Sequence, residues 1–162
     1  QSSFRSDTVV FSDKERNKLL NRLFHLYSKA KYFPQIHEHL LKILESREDS
    51  LLNFNMEFIH LARSIFNIKN ELIFSSDLDL TDLNSSSLIL AICMKLNANQ
   101  YLVGSSGSAY LKEKEFVSKG IKISQLDYTF HPYRQQCPSF VSGLSSLDFF
   151  YNCYLETQDV IF

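Results

Sequence analysis

Apolar positions in the first half of the chain recur every three or four residues, and in the second half the period shortens. Leu19, Leu20, Leu23, Phe24, Leu26 and Tyr27 follow i, i+3, i+4 and i+7 spacing, which places one apolar stripe on a helix. Its start is Ser12-Asp13-Lys14-Glu15, a capping box in which the serine hydroxyl caps the Glu15 amide and the Glu15 side chain reaches back to Ser12. Pro34 suits the first turn of a second helix, with Ile36, Leu40, Leu41 and Leu44 on one side and Glu45 to Asp49 as the turn after it. A third helix, from about Leu51 to Phe66, carries a broad stripe of Leu51, Leu52, Met56, Phe58, Ile59, Ala62, Ile65 and Phe66.

From there the pattern alternates between strand-like and helical pieces. Glu71 to Ser75 is a short apolar strand candidate, followed by a polar segment and a helix over Ser85 to Leu96. Asn84-Ser85-Ser86 matches a glycosylation triplet, but it reads as that helix's cap. Gln100 to Val103 is a second strand, Ala109 to Ser118 is helix-like with Gly120 as its stop, and Ile121 to Leu126 alternates as a third strand. A last helix spans Leu144 to Tyr154, capped by Ser145 or Ser146. The order β-α-β-α-β implies a parallel sheet with right-handed crossovers and all strand ends on one edge. The expected fold is α/β: a short parallel sheet with crossover helices behind a helical N-terminal half. It is read as one domain over 1–162, with a helical part at 12–68, a β-α-β-α-β part at 71–126 and a C-terminal loop and helix at 127–162.

Composition narrows the classes. With 162 residues, 44% apolar and 22% charged, the chain can bury roughly two thirds of its unfolded surface without staples. Seventeen basic against eighteen acidic residues give a net charge of -1, and the basic residues are spread out, so a nucleic-acid partner is not expected. Cys93, Cys137 and Cys153 are an odd count without CxxC spacing, which argues against a disulfide framework and a zinc site and for a cytoplasmic location. No apolar run approaches the roughly 18 residues of a membrane span, and Gln1 to Asp7 do not read as a secretion signal. His37 and His39 point about 200° apart on a helix and so do not share a metal. Neither a metal nor a cofactor is specified.

Ligands of parallel sheets bind beyond the carboxyl ends of the strands. That edge is expected to gather Ser75, Ser76 and Asp77, then Gly104-Ser105-Ser106-Gly107, then Asp127, Tyr128 and His131. The Gly104 to Gly107 loop follows a strand and precedes a helix, so its amides and hydroxyls suit a phosphate or carboxylate, although it lacks the lysine of a Walker loop and the third glycine of a dinucleotide fingerprint. An ordinary glycine turn is the competing reading. Tyr110 lies just beyond that loop and Tyr133 just beyond His131; both are read as substrate contacts. His131 supplies a general base and Arg134 a cation for an anionic group, against a reading of His131-Pro132 as a plain turn. Asp148 is the candidate carboxylate, yet the helix dipole alone favours an acid there. Cys93 reads as a small core residue and Cys137, before Pro138, as more exposed.

Tyr101-Leu-Val-Gly-Ser-Ser-Gly-Ser-Ala-Tyr110-Leu111, Phe116 with Gly120-Ile-Lys-Ile, and His131-Pro-Tyr133-Arg-Gln135 together resemble the WbqC-like family of bacterial polysaccharide loci. The resemblance extends to Phe140, Leu144-Ser145, Asp148 and Asn152 downstream, and upstream to Tyr27 through Phe33, Phe74 to Leu78 and Ile92 to Leu96. Two departures stand out. The family's opening strand and Gln-Pro-x-x-Phe-Pro-x-x-Gly-Tyr-like turn have no counterpart, so the chain reads as a family member without its N-terminal segment. Locally, Leu96-Asn97-Ala98 stands where the family tends to have Leu-Gly-Ala, and Ser85-Ser86-Ser87 where it has charged residues. The resemblance implies a polysaccharide-biosynthesis enzyme that transfers an acyl or aminoacyl group to an amino sugar, free or nucleotide-linked. The alternatives are a non-catalytic module that binds a sugar or a partner enzyme of the same pathway, and an inactive truncated member.

Overall fold

The computed structural model describes residues 12–46, 50–80, 83–104 and 107–155. They fall into two compact units, one formed by the chain up to Lys69 together with Phe130 onward, the other by Asn70–Thr129.

The first unit is helical. α1 (Asp13–Tyr27) opens on the expected capping box: the Ser12 Oγ accepts from the Glu15 amide, and Glu15 Oε2 accepts from the Ser12 amide at 3.0 Å. α2 (Phe33–Glu45) takes Pro34 in its first turn, where a missing N–H costs nothing. α3 (Leu51–Ile65) is capped by Ser50, and α6 (Ser146–Cys153) by Ser145, whose Oγ accepts from the Leu147 amide at 3.3 Å. The core is built from Leu23, Ile36, Leu40, Leu44, Phe54, Phe150 and Tyr151, so the stripes predicted on the first three helices meet the aromatic run of α6. The Tyr32 amide donates to the Tyr151 carbonyl at 2.9 Å, which fixes the entry to α2 against α6. The expected turn at Glu45 to Asp49 lies partly outside the described residues.

The second unit holds α4 (Ser85–Lys95), β1 (Gln100–Val103), α5 (Glu113–Ser118) and β2 (Lys122–Gln125). β1 and β2 pair in parallel, Gln100 opposite Lys122 and Val103 opposite Gln125, with α5 in the crossover between them. A small core of Cys93, Phe116 and Ile121 forms beneath Ile89, Leu90, Tyr101 and Ile123, as expected for Cys93. The architecture is therefore α/β, with a short two-stranded parallel sheet, a crossover helix and a helical N-terminal half.

Three details differ from the pattern reading. Glu71 to Phe74 forms no strand: Leu72, Ile73 and Phe74 are each more than 40% exposed, and the chain turns at once into a short 3-10 helix, Ser75–Leu78, ended by the left-handed Asp79. A four-residue apolar run without a neighbouring ladder has nothing to hold it extended. The helix-like stretch from Ala109 to Ser118 is broken at Leu111 and Lys112, because the Lys112 amide is used by the buried Ser86 hydroxyl at 3.0 Å rather than by a helical carbonyl. Asn84 occupies the cap position of α4, yet its side chain makes no cap bond.

Three helices end in the same way. Asn67, Asn97 and Gly120 have φ of 53°, 52° and 73°, and the next residue's amide in each case bonds a carbonyl five positions back: Ile68 to Arg63, Ala98 to Cys93 and Ile121 to Phe116. This is the Schellman arrangement, which demands a left-handed residue. It explains the departure at Leu96-Asn97-Ala98, since asparagine is the side chain that best tolerates the conformation in which glycine is at home.

Candidate functional site

The richest cluster of polar and aromatic groups lies in the helical unit, where the ends of α1 and α2 meet α6 and the segment from Phe130 to Val141. Asp148 stands in the first turn of α6, three residues past its cap, and only 6% of it is exposed. Its carboxylate does not close a capping box. Instead Oδ2 accepts from the Tyr133 hydroxyl at 2.8 Å, while the Asp148 main-chain carbonyl accepts from Asn152 Nδ2 at 2.8 Å. A buried carboxylate held this way keeps strong charge-assisted partners in place of water.

The 130–141 segment is strapped down by further side-chain bonds. Gln135 exchanges two bonds with the Val141 main chain, at 2.9 and 2.8 Å, and Gln136 Nε2 donates to the Leu26 carbonyl at 3.0 Å, at the end of α1. The Cys153 thiol approaches the Arg134 carbonyl at 3.8 Å. Within the strap Tyr133 and Gln135 are half-buried whereas His131, Arg134 and Cys137 are exposed. The Tyr133 ring is set edge-on against Phe140 and Phe149, at 5.4 and 5.1 Å.

A second line of rings runs from the same carboxylate. Tyr27 stacks on Tyr151 at 4.4 Å with an interplanar angle of 11°. Tyr151 is fully buried, and its hydroxyl lies 3.3 Å from His37 Nδ1. Burial pushes the Tyr27 hydroxyl up to about 12, aided by the Asp148 charge and by a hydrogen bond to that carboxylate. Burial likewise carries Tyr133 to about 12; a bond from Gln135 works the other way, and Asp148 adds to the rise. Tyr151 is raised by burial and by Tyr27, and His37 is lowered by burial, so all four groups are held neutral over a wide span of pH.

The expected site residues divide between the two units. His131, Tyr133, Arg134 and Asp148 are in the helical unit, and of these the structure brings Tyr133 and Asp148 into direct contact. Ser75, Ser76, Gly104, Gly107 and Tyr110 are in the sheet unit; Ser105 and Ser106 lie outside the described residues. Ser75 and Ser76 sit on the 3-10 helix rather than at a strand end, are exposed, and the Ser76 hydroxyl donates to Asp77 at 3.3 Å. Gly104 directly follows β1 and shares the carboxyl edge with Leu126, whose amide bonds the Val103 carbonyl at 2.7 Å. Gly107 has a packing reason for its size: a Cβ there would lie 2.7 Å from Val103 Cγ2. Tyr110 is 75% exposed. Among the described residues, no group of His, Cys, Asp or Glu is placed to hold a metal, and no helix is long and apolar enough to cross a membrane.

Pattern reading missed Tyr27, His37 and Tyr151 as members of a polar network. Tyr27 counts as part of an apolar stripe and Tyr151 falls within the predicted last helix; Tyr151 is core and Tyr27 packs against it, and a tyrosine's hydroxyl leaves no trace in periodicity. It also missed Arg16, which is buried and donates from one guanidinium nitrogen to the Leu44 and Ser46 carbonyls at the end of α2, both at 3.2 Å.

The fold and this cluster define an α/β protein whose helical unit holds a buried carboxylate beneath half-buried tyrosines. The chain belongs to the WbqC-like protein family, whose model matches residues 2–160, a family linked to polysaccharide and O-antigen pathways. That span corrects the expectation of a member lacking its N-terminal segment: the match takes in the residues ahead of α1, and the absence of one turn signature is not the absence of a segment. No curated protein and no solved structure matches the chain.

Proposed function

We propose that this protein serves polysaccharide biosynthesis by transferring an acyl or aminoacyl group to an amino sugar, free or nucleotide-linked. The observation that supports this reading best is the strap from Phe130 to Val141. Tyr133 is tied to the buried Asp148 and Gln136 to the end of α1, so that His131 and Arg134 are presented on an anchored segment beside half-buried tyrosines. In this reading the sugar amine attacks the carbonyl carbon of an activated acyl ester or thioester, forming a C–N bond as the bond to the donor oxygen or sulfur breaks. His131 takes the ammonium proton and returns it to the leaving group, and Arg134 pairs with a carboxylate or phosphate of the substrate. Asp148 acts through Tyr133 as a positioning residue. In the sheet unit the Gly104 to Gly107 turn, with Ser105 and Ser106, is a separate proposed anion-binding element, and Ser75, Ser76 and Tyr110 remain proposed contacts.

A second reading, a sugar- or partner-binding module without chemistry, draws support from His131 itself. It has no hydrogen-bonding partner among the described residues, whereas a general base is usually oriented by a third group. The test is a thermal-shift panel of amino sugars, nucleotide-linked amino sugars, coenzyme A esters and amino acids, with His131→Ala and Tyr133→Phe beside the wild type. A ligand at a hundred times its dissociation constant stabilises by about 2.7 kcal/mol. Shifts with both a sugar and an acyl donor, with transfer abolished in His131→Ala, support the transferase. A shift with sugar alone, unchanged in His131→Ala, favours the binding module; no shift with any class sinks both. Gly107→Val is a poor probe, because its collision with Val103 would mimic a lost site.

A further inference from the structure

His37 takes no part in the strap, and the geometry around it specifies both its tautomer and what its outer face can bind. Its ring stacks on Phe33 at 4.4 Å, and Phe24 meets it edge-on at 6.4 Å and Phe33 at 5.7 Å. Phe24 is 51% exposed, so part of its ring is open to a ligand. On the inner side His37 Nδ1 faces the Tyr151 hydroxyl at 3.3 Å. Tyr151 is fully buried, and that hydroxyl has no other hydrogen-bonding partner among the described residues. Since a buried hydroxyl proton left without an acceptor is strongly disfavoured, Tyr151 donates and Nδ1 accepts. The neutral imidazole must then carry its own proton on Nε2, where no described residue accepts it. Burial lowers the His37 pKa and so favours the same neutral form.

The result is an N–H donor on a half-buried imidazole, set beside the exposed ring of Phe24. A neutral donor suits a hydroxyl or carbonyl oxygen better than a phosphate, which calls for a cation. Aromatic faces are electron-rich and attract the positive edges of C–H bonds. We propose that Phe24, Phe33 and His37 form a subsite for the uncharged ring of a sugar, one face lying on the exposed Phe24 ring, one oxygen accepting from His37 Nε2–H, and Phe33 holding the imidazole by stacking. The inference rests on the reading that the protein acts on an amino sugar, and it names the surface that holds that sugar; no bond is made or broken there.

The test uses the full chain with 15N-labelled histidines, His37→Gln identifying the His37 signals among five histidines. At pH 7.5 the wild type is expected to show Nδ1 unprotonated and Nε2 protonated. Glucosamine and N-acetylglucosamine should move those signals, and Phe24→Ala should weaken that binding at least tenfold. Tyr151→Phe keeps the ring stack while removing the donor, and should mix the two tautomers. A wild-type ring protonated on Nδ1 overturns the inference, as does sugar binding that leaves His37 unmoved or Phe24→Ala at wild-type affinity. Signals moved by uridine monophosphate but by neither sugar overturn it too. Sugar bound at His37 with no transfer from any acyl donor upholds the subsite and removes the transferase reading. Transfer with an unchanged KM in Phe24→Ala removes the subsite and leaves the transferase.

Discussion

Arg16 is buried near the start of α1, in a stretch that is otherwise charged and exposed, and its role is to finish another helix. The carbonyls of Leu44 and Ser46 at the end of α2 have no intrahelical partner, and the guanidinium supplies one to each while lying 5.6 Å from the Phe54 ring centre. Removing it strands two acceptors and takes away the guanidinium that lies over the Phe54 ring. Arg16→Ala is therefore expected to cost about 2 kcal/mol, the scale of hydrogen bonds to a charged donor, in urea denaturation followed by circular dichroism. Arg16→Lys should recover only part, since an ammonium lacks the forked geometry. A loss below about 0.5 kcal/mol would place Arg16 among ordinary surface residues. The same distinction separates Asp148 from a plain dipole-compensating acid, because its carboxylate is committed to Tyr133 and not to the helix end.

At the level of elements, the ends of helices carried more local information than the strands. Ser12 with Glu15, Pro34 and Gly120 each announce a boundary through chemistry confined to a few residues, and each boundary forms as read. The apolar run at Glu71 to Ser75 contains no such local cue, and whether it pairs depends on a partner elsewhere in the chain, so periodicity alone overestimates the sheet by one strand. The candidate site was legible in part for the same reason. His131, Tyr133 and Asp148 sit near recognisable turns and caps, but the contact from Tyr133 to Asp148 spans fifteen residues, and the bond between His37 and Tyr151 spans 114. Only packing of α2 on α6 creates the second one. Asn97 gives an element-scale test of the helix-end argument. With φ at 52°, Asn97→Ala should cost about 1 kcal/mol, the usual penalty for a left-handed residue with a Cβ, while Asn97→Gly should be neutral or stabilising. Equal melting temperatures for the two variants would show that the left-handed conformation at position 97 imposes no penalty on a Cβ.

On the scale of the whole molecule, net charge is close to zero at neutral pH, so its pH dependence should follow particular groups rather than general repulsion. Those with resolved shifts near neutrality and above are concentrated in the helical unit. His37 has a lowered pKa in the fold, so below its ordinary 6.5 the unfolded chain takes up the proton first and stability falls as pH drops. Tyr27 and Tyr133, raised from 10.0 to about 12, act at the other end: the unfolded chain releases their protons first, so stability present below pH 10 is lost as pH climbs from 10 towards 12. Tyr151 works in the same direction, and Cys93 in the sheet unit begins the alkaline loss at its ordinary 9.0. A stability plateau between about pH 7 and 9 is expected, with two separable shoulders. Phenolate absorbance offers the direct check: of eight tyrosines, Tyr27, Tyr133 and Tyr151 should ionise late and be released together on unfolding. Tyr27→Phe and Tyr133→Phe should each remove one late titration, and His37→Gln should flatten the acid shoulder without touching the alkaline one. Eight tyrosines titrating together near pH 10 would mean that the Asp148 cluster is open to water, and with it the basis for both the strap and the His37 subsite would go.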